Sequence, residues 1–125
     1  KPETIFTEIK KLLKPGGILI IGTGNHHSWT ARIKREKWDF YSLRGRGGHV
    51  CFYSPSAIAK IAQKFQLSLA VTYSYSFKIF ERHETPLLIY KLTKLFTELF
   101  SFPAHLANRG HQMECFLIKQ TEAHK

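Results

Sequence analysis

The pattern of apolar positions predicts a chain in which helices and strands alternate. From Pro2 to Leu13 apolar residues recur at steps of three and four, which indicates an amphipathic helix. Residues 15–17 are Pro-Gly-Gly, a sequence typical of a helix end. The unbroken apolar run Ile18–Ile21 follows, and we interpret it as a strand that is covered on both faces.

The remainder of the chain continues this alternation after a less regular stretch, residues 26–53, in which a short helix is predicted over 28–35. Ser54 and Pro55 are suited to the N-cap and first turn of a second long helix. The later predicted elements are a strand over Leu67–Tyr75, a helix over Pro86–Phe100 and a strand over Met113–Lys119. The apolar stripe of that last helix is typical of a core-facing surface, although it also suits a lipid-like acceptor pocket or a docked partner; it comprises Leu88, Leu92, Leu95, Phe96 and Leu99. The order of elements predicts an α/β fold and leaves open whether the connections are crossovers or antiparallel returns.

Composition limits the size and the partners of this fold. The chain has 125 residues, of which 43% are hydrophobic, so it is one domain or part of one with enough apolar surface for a core. Its formal net charge of +10 permits contact with phosphates, nucleic acid or an anionic membrane surface. The same charge is equally expected of a basic piece of a larger, better balanced protein.

Cysteine content and hydropathy indicate the environment of the chain. Cys51 and Cys115 are the only cysteines, too few for a disulfide framework and without the spacing of a zinc site. A reduced, cytoplasmic setting is therefore predicted. No apolar run is long enough to span a bilayer, so no transmembrane segment is expected. The chain begins at Lys1 inside a predicted helix, which we interpret as an excerpt of a longer protein.

Two segments of the chain resemble class I S-adenosylmethionine-dependent methyltransferases. Residues 11–21, KLLKPGGILII, resemble the helix, Pro-Gly-Gly turn and fifth strand of that family. Residues 49–58, HVCFYSPSAI, resemble a later segment of its ubiquinone-biosynthesis-like branch, and Asn25 also fits that branch. Two positions depart from the branch: Gly24 stands where it has Pro, and residues 65–67 lack its Gly-Phe pair. The resemblance covers the chain to about residue 75.

The resemblance implies a partial Rossmann-like methyltransferase sheet, made of strands five to seven with flanking helices. Residues 1–125 would then be one domain, the C-terminal part of a methyltransferase domain without its N-terminal cofactor-binding half. S-adenosylmethionine is the implied cofactor, yet its main binding motif is absent. Gly22-Thr23-Gly24 follows a strand, but no helix-opening Gly follows it and no acidic residue ends a next strand. The fragment alone is expected to be inactive.

The resemblance also implies an acceptor site after the fifth strand. His49, on the second matched segment, is the candidate catalytic base, because imidazole exchanges protons near neutral pH. A structural role for His49 in the loop stays an alternative, as does simple covering of the sheet by the tryptophans. No third metal ligand is spaced to complete a site with the adjacent histidines, so no metal is predicted. The candidate substrate-binding residues are Asn25, His26, His27, Trp29, Trp38 and Tyr53.

Three functions remain open at this stage. The first is the acceptor-side half of an O- or N-methyltransferase for a small or anionic substrate; the second is a non-catalytic interaction module derived from such an enzyme. The third, a basic nucleic-acid-binding domain, is disfavoured because the basic residues are spread over many segments. The apolar strand Ile18–Ile21 also predicts an exposed edge through which two copies could associate.

Overall fold

The computed structural model describes residues 2–41, 51–80 and 85–120. Within these ranges the chain forms four α-helices, two short 3-10 turns and three strands. The helices are α1 (Pro2–Leu12), α2 (Trp29–Lys34), α3 (Pro55–Lys64) and α4 (Leu87–Leu106); the strands are β1 (Ile18–Gly24), β2 (Leu67–Tyr75) and β3 (Gln112–Lys119). The 3-10 turns are Arg35–Lys37 and Asp39–Tyr41.

Local capping explains where two of the helices begin. The Ser54 hydroxyl accepts a hydrogen bond from the Ala57 amide, and Pro55 is the first residue of α3, as predicted. Ser28 caps α2 in the same way by accepting from the Ala31 amide at 3.0 Å. These two bonds satisfy backbone amides that have no partner inside the first helical turn.

The sheet has the strand order β1-β3-β2. Because β3 is antiparallel to both neighbours, β1 and β2 run parallel to each other. The connection through α3 is therefore a crossover, and the connection through α4 is an antiparallel return. The topology resolves the alternatives that the sequence left open, and it confirms the predicted α/β class with a partial sheet and flanking helices.

One face of the sheet carries the hydrophobic core. Phe6 of α1 and Ile58 and Ala62 of α3 pack against it. The facing residues of the central strand are fully buried; they are Met113, Cys115 and Leu117. Both helices thus cover the same face of the sheet. The carboxyl end of β1 lies at the region described below.

The opposite face shows that one prediction was wrong. Ile18 and Ile20 are 60% and 57% exposed, so β1 is not covered on both faces by the described residues. Burial alternates along the strand because α1 and α3 lie on the same side of the sheet. The unbroken apolar run therefore predicts a strand. Whether both faces of β1 are buried depends on where other elements of the fold pack.

Helix α4 also differs from the prediction. It continues to Leu106 rather than ending at Phe100, and it passes through Pro103, because its last turns are held against β2. Ala104 is fully buried there, and the His105 Nδ1 atom lies 2.5 Å from the Ser74 carbonyl oxygen. Its predicted core stripe is exposed instead, whereas the smaller residues Thr97 and Ser101 are half-buried. Among the described residues no helix is both long enough and apolar enough to cross a bilayer.

Gly110 marks the tightest backbone contact, where the turn after α4 meets the end of β2. A Cβ atom at Gly110 would lie 2.4 Å from the Tyr75 amide nitrogen and 2.7 Å from the Ser74 carbonyl carbon. We expect Gly110→Ala to lower the free energy of unfolding by about 1–3 kcal/mol, because backbone atoms must move to admit the methyl group. Urea denaturation measures this loss. Gly22→Ala is the control, since a Cβ at Gly22 meets nothing within 4 Å; equal losses in both variants would contradict the steric explanation.

Candidate functional site

The turn after β1 is held by a single buried side chain, Asn25. Its amide nitrogen Nδ2 donates to the Asn108 carbonyl at 3.0 Å, and its Oδ1 accepts from the His27 amide at 3.0 Å. The Asn25 backbone amide donates to the His111 carbonyl at 3.0 Å. Asn25 therefore joins the carboxyl end of β1 to the turn that precedes β3, and it fixes the conformation of the chain at His26 and His27.

A second segment is attached at the same point. Asn25 and Tyr53 form an isolated parallel bridge, and the His26 amide donates to the Tyr53 carbonyl at 2.9 Å. This bridge brings Phe52 beside the His26 ring, with the ring centroids 6.4 Å apart. Two segments that are distant in sequence thus meet at the carboxyl end of β1.

Rings from four segments of the chain form what we call the aromatic cluster. Trp38 lies at its centre and is only 1% exposed. The distances from the Trp38 ring centroid to its neighbours lie between 5.0 and 6.2 Å. Those neighbours are His26, Phe40, Tyr41, Phe52 and His111. His26, Phe52 and Tyr41 form the less buried side of the cluster.

A chain of polar contacts runs through the buried side of the aromatic cluster. Trp38 Nε1 donates to His111 Nδ1 at 3.2 Å, which assigns the proton of a neutral His111 ring to Nε2. His111 Nε2 lies 3.9 Å from Asp39 Oδ2, and the other Asp39 oxygen contacts the Lys34 ammonium group. This chain fixes the tautomer of His111 and the orientation of the central indole.

At the exposed side, His26 and Tyr41 form a pair with acid–base chemistry. The Tyr41 hydroxyl lies 3.1 Å from His26 Nδ1, and either group can donate. When Nδ1 donates to the phenolic oxygen, Nε2 carries the lone pair and can accept a proton from a bound molecule. The arrangement can therefore position an imidazole base beside the rings of the aromatic cluster.

The structure brings together four of the residues predicted from the sequence. Asn25, His26, Trp38 and Tyr53 all lie at the carboxyl end of β1, and Asn25 and Trp38 are buried there. Tyr53 also packs against the hydrophobic core. Burial, followed by the effect of the neighbouring Cys51 thiol, raises the pKa of Tyr53 above its usual value, so its hydroxyl stays protonated at neutral pH.

The other predicted residues lie elsewhere. His27 is exposed, and its carbonyl accepts a hydrogen bond from Arg109 Nη1 at 2.9 Å. The Trp29 ring meets the Phe77 ring edge-on, with centroids 6.2 Å apart. His49 lies outside the described residues. The roles given to all seven residues remain predictions.

Sequence reasoning missed several residues of this region. The omitted residues are Phe40, Tyr41, Phe52, Arg109 and His111. One signal was available, since aromatic residues are dense between 38 and 53 in a stretch without helical or strand periodicity. A second was the Asn-Arg-Gly-His run at 108–111, a turn sequence with two side chains suited to binding.

The described residues do not fit the cofactor that the resemblance implies. In the Gly22-Thr23-Gly24 run, the space beside Gly24 that a ligand would need is filled by the Phe40 ring. A Cβ atom at Gly24 would lie 2.8–2.9 Å from that ring. Strand β2 ends in Tyr75 and continues into Ser76, without an acidic residue for ribose hydroxyls. No group of three potential metal ligands occurs among the described residues either.

A separate groove lies between α4 and residues 76–80. It has a volume of about 230 Å³. Its lining comes from both segments and comprises Ser76, Phe77, Lys78, Phe80, Tyr90, Thr93, Lys94, Thr97, Glu98 and Ser101. None of the described candidate substrate-binding residues lines it; these are Asn25, His26, His27, Trp29, Trp38 and Tyr53. The candidate site is therefore the exposed side of the aromatic cluster and not this groove.

The fold and the site define an α/β domain with a cluster of His and aromatic side chains at the carboxyl end of a strand. A family model described as a methyltransferase domain matches residues 1–71, more than half of the chain. The chain belongs to this methyltransferase family. No curated protein matches it at a significant level.

Proposed function

We propose that this chain forms the acceptor side of an S-adenosylmethionine-dependent methyltransferase that modifies an oxygen or nitrogen atom of a small or anionic substrate. The observation that carries the proposal is the His26–Tyr41 pair, held at the exposed side of the aromatic cluster in a chain of this family. Transfer of a methyl group to a hydroxyl or amine releases a proton, and imidazole is suited to accept it.

Each side chain of the site has a distinct proposed role. His26 accepts the proton of the acceptor group, and Tyr41 orients the imidazole through the contact at Nδ1. Trp38 and Asn25 are buried, so we assign them to the shape of the site rather than to contact with substrate. The exposed His27 and the half-buried Trp29 and Tyr53 are proposed contacts at its margin, and His49 stays a candidate base on the adjoining segment.

An anionic acceptor is supported by charge near the site. The Arg109 guanidinium group is anchored to the His27 carbonyl and so lies beside the turn that carries His26. A net charge of +10 adds a positive long-range field, which raises the rate of encounter with anions. These features support a phosphate- or carboxylate-bearing acceptor over a neutral one.

The cofactor contacts are proposed to lie mainly in a preceding half of the domain, because the described residues do not fit them. We further propose a relationship to the ubiquinone-biosynthesis-like branch on the 49–58 segment, and a cytoplasmic location on the absence of a cysteine framework. The chain alone is then inactive, and it gains activity when the cofactor half is supplied.

Isothermal titration of S-adenosylhomocysteine tests this division of labour. We expect no heat of binding with residues 1–125. We expect a saturable signal with a longer protein that also contains the proposed cofactor half before Lys1. Binding only by the longer protein supports the proposal. Tight binding by residues 1–125 would show that the cofactor site lies among these residues, and absence of binding by both proteins would favour the interaction module.

The interaction module has one specific observation in its favour, the exposed apolar surface of the sheet and of α4. Among the described residues, β1 pairs with β3 and with no strand on its other side. Association of two copies through the Ile18–Ile21 edge thus remains a prediction, tested by sedimentation of the wild-type chain at high concentration. Binding of nucleic acid has no such observation and stays the least favoured function.

A further inference from the structure

Helix α4 presents its two sides in an unusual way. Its small and polar residues face the rest of the fold: the Ser101 hydroxyl accepts from the Phe77 amide at 3.0 Å, and Ala104 is fully buried. Most of its large apolar residues face away, although the Phe100 ring lies with its centroid 6.1 Å from that of the Phe77 ring. A helix in a globular protein normally buries its apolar stripe, so α4 carries a surface without a partner among the described residues.

The outward residues follow a strict spacing. Leu88, Leu92, Leu95 and Leu99 succeed one another at steps of four, three and four, and each is between 66% and 73% exposed. We call these four residues the leucine seam. Phe102 continues the same spacing. Alternating steps of three and four are the signature of a helix that packs along its length against another helix.

We propose that the leucine seam binds the leucine seam of a second copy of this chain, with the two α4 helices antiparallel. In this register Leu92 packs against Leu95 of the second copy, and Leu88 packs against Leu99. All four layers of the interface are then pairs of leucines related by a twofold axis. The proposal rests on α4 alone and is independent of the proposed methyltransferase function.

Charge determines this choice of partner and direction. The antiparallel register that aligns the leucines also places Lys91 beside Glu98 of the second copy, and the twofold axis repeats the pair. A parallel pairing of the same seam would place Lys91 beside Phe96 and Glu98 beside Pro103, leaving both charges without an opposite charge across the interface. Glu98 contacts Lys94 within its own helix at 3.5 Å, and its side chain is 63% exposed, so its carboxylate stays accessible to a cation of the second copy.

The same charges disfavour an anionic lipid surface as the partner. Glu98 borders the seam, and it would be brought close to lipid phosphates if α4 lay on a bilayer. Surface helices of that kind carry Lys and Arg along the border of their apolar face, whereas the border here has one charge of each sign, Lys91 and Glu98. A self-complementary border is what an isologous interface between two copies requires.

Sedimentation equilibrium of the wild-type chain and its variants tests the proposal. We expect a monomer–dimer equilibrium that Leu95→Lys weakens at least roughly 100-fold, because the twofold axis places two ammonium groups in apolar layers. Lys91→Glu should weaken it about tenfold, since both ion pairs become repulsive. The double variant Lys91→Glu/Glu98→Lys should regain most of the wild-type affinity, because the pair is restored with its signs exchanged.

Controls separate the leucine seam from other surfaces. Lys60→Glu reverses an exposed charge on α3 and should leave the dimer unchanged, and so should Ile20→Lys on the open face of the sheet. A wild-type monomer at the highest soluble concentration would overturn the proposal. So would a dimer that Ile20→Lys disrupts and Leu95→Lys does not, a failure of the charge exchange to restore affinity, or a monomer that sediments with phosphatidylglycerol vesicles through Leu95.

Discussion

Replacing Trp38 with alanine should lower the free energy of unfolding by about 3–5 kcal/mol, the usual cost of truncating a large buried aromatic residue. The indole is 1% exposed and contacts rings from four segments of the chain, its own included. Its loss removes those contacts and leaves His111 Nδ1 without the donor that lies 3.2 Å away. Urea denaturation measures the loss, and at about 4 °C per kcal/mol the melting temperature should fall by roughly 12–20 °C.

Two further variants isolate the cause. Trp38→Phe keeps a ring in the site but cannot donate to His111, so it should cost about 1–3 kcal/mol, because the hydrogen bond from Trp38 Nε1 to His111 Nδ1 is lost. Trp29→Ala removes the same side chain from a half-buried position with one edge-on aromatic contact, and it should cost less than Trp38→Ala. A Trp38→Ala loss no greater than that of Trp29→Ala would show that the aromatic cluster does not stabilise the fold.

Replacing His26 with glutamine should slow methyl transfer at least roughly 100-fold in the chain extended by its cofactor half, the lower end of what a general base contributes. Glutamine keeps a polar side chain of similar reach but cannot accept a proton near neutral pH. The rate is measured with tritiated S-adenosylmethionine against hydroxyl- and amine-bearing acceptors that carry a phosphate or carboxylate.

His27 provides the matched control for this experiment. It is adjacent in sequence and exposed, and its described bond to Arg109 uses the backbone carbonyl, so His27→Gln should change kcat far less than His26→Gln. Tyr41→Phe should give an intermediate loss, because the imidazole remains but its Nδ1 partner is gone. Equal rates for His26→Gln and wild type would remove His26 from the reaction and leave His49 as the candidate base.

Sequence patterns predicted the elements of this fold because the signals are local. Ser54 and Pro55 set the start of α3, and the boundaries of Leu67–Tyr75 agree with β2. Capping bonds and alternation depend on residues a few positions apart, so they can be recognised without knowledge of the rest of the molecule. Each predicted helix and strand is present in the structure, because these local signals determine where such elements form.

Burial was harder to predict because it depends on where other elements pack. Nothing within Ile18–Ile21 records that α1 and α3 share one face of the sheet. Likewise, the apolar stripe of α4 has the spacing of a core helix, and only the contacts of Ser101 and His105 reveal that the opposite side faces inward. The site residues Tyr41 and Phe52 were missed because irregular segments carry no period, and their meeting with His26 is produced by the Asn25–Tyr53 bridge.

The position of β3 at the centre of the sheet has a consequence for the order in which the molecule assembles. Both outer strands pair only with this strand in the described fold, and it follows them in the chain, so that Ile18 pairs with Ile118, 100 residues later. During synthesis β1 and β2 therefore leave the ribosome before β3, the strand that pairs with both of them in the described fold. Sheet formation within the described fold therefore waits for β3, and until then the apolar residues of β1 and β2 are open to chaperones that recognise exposed apolar strands.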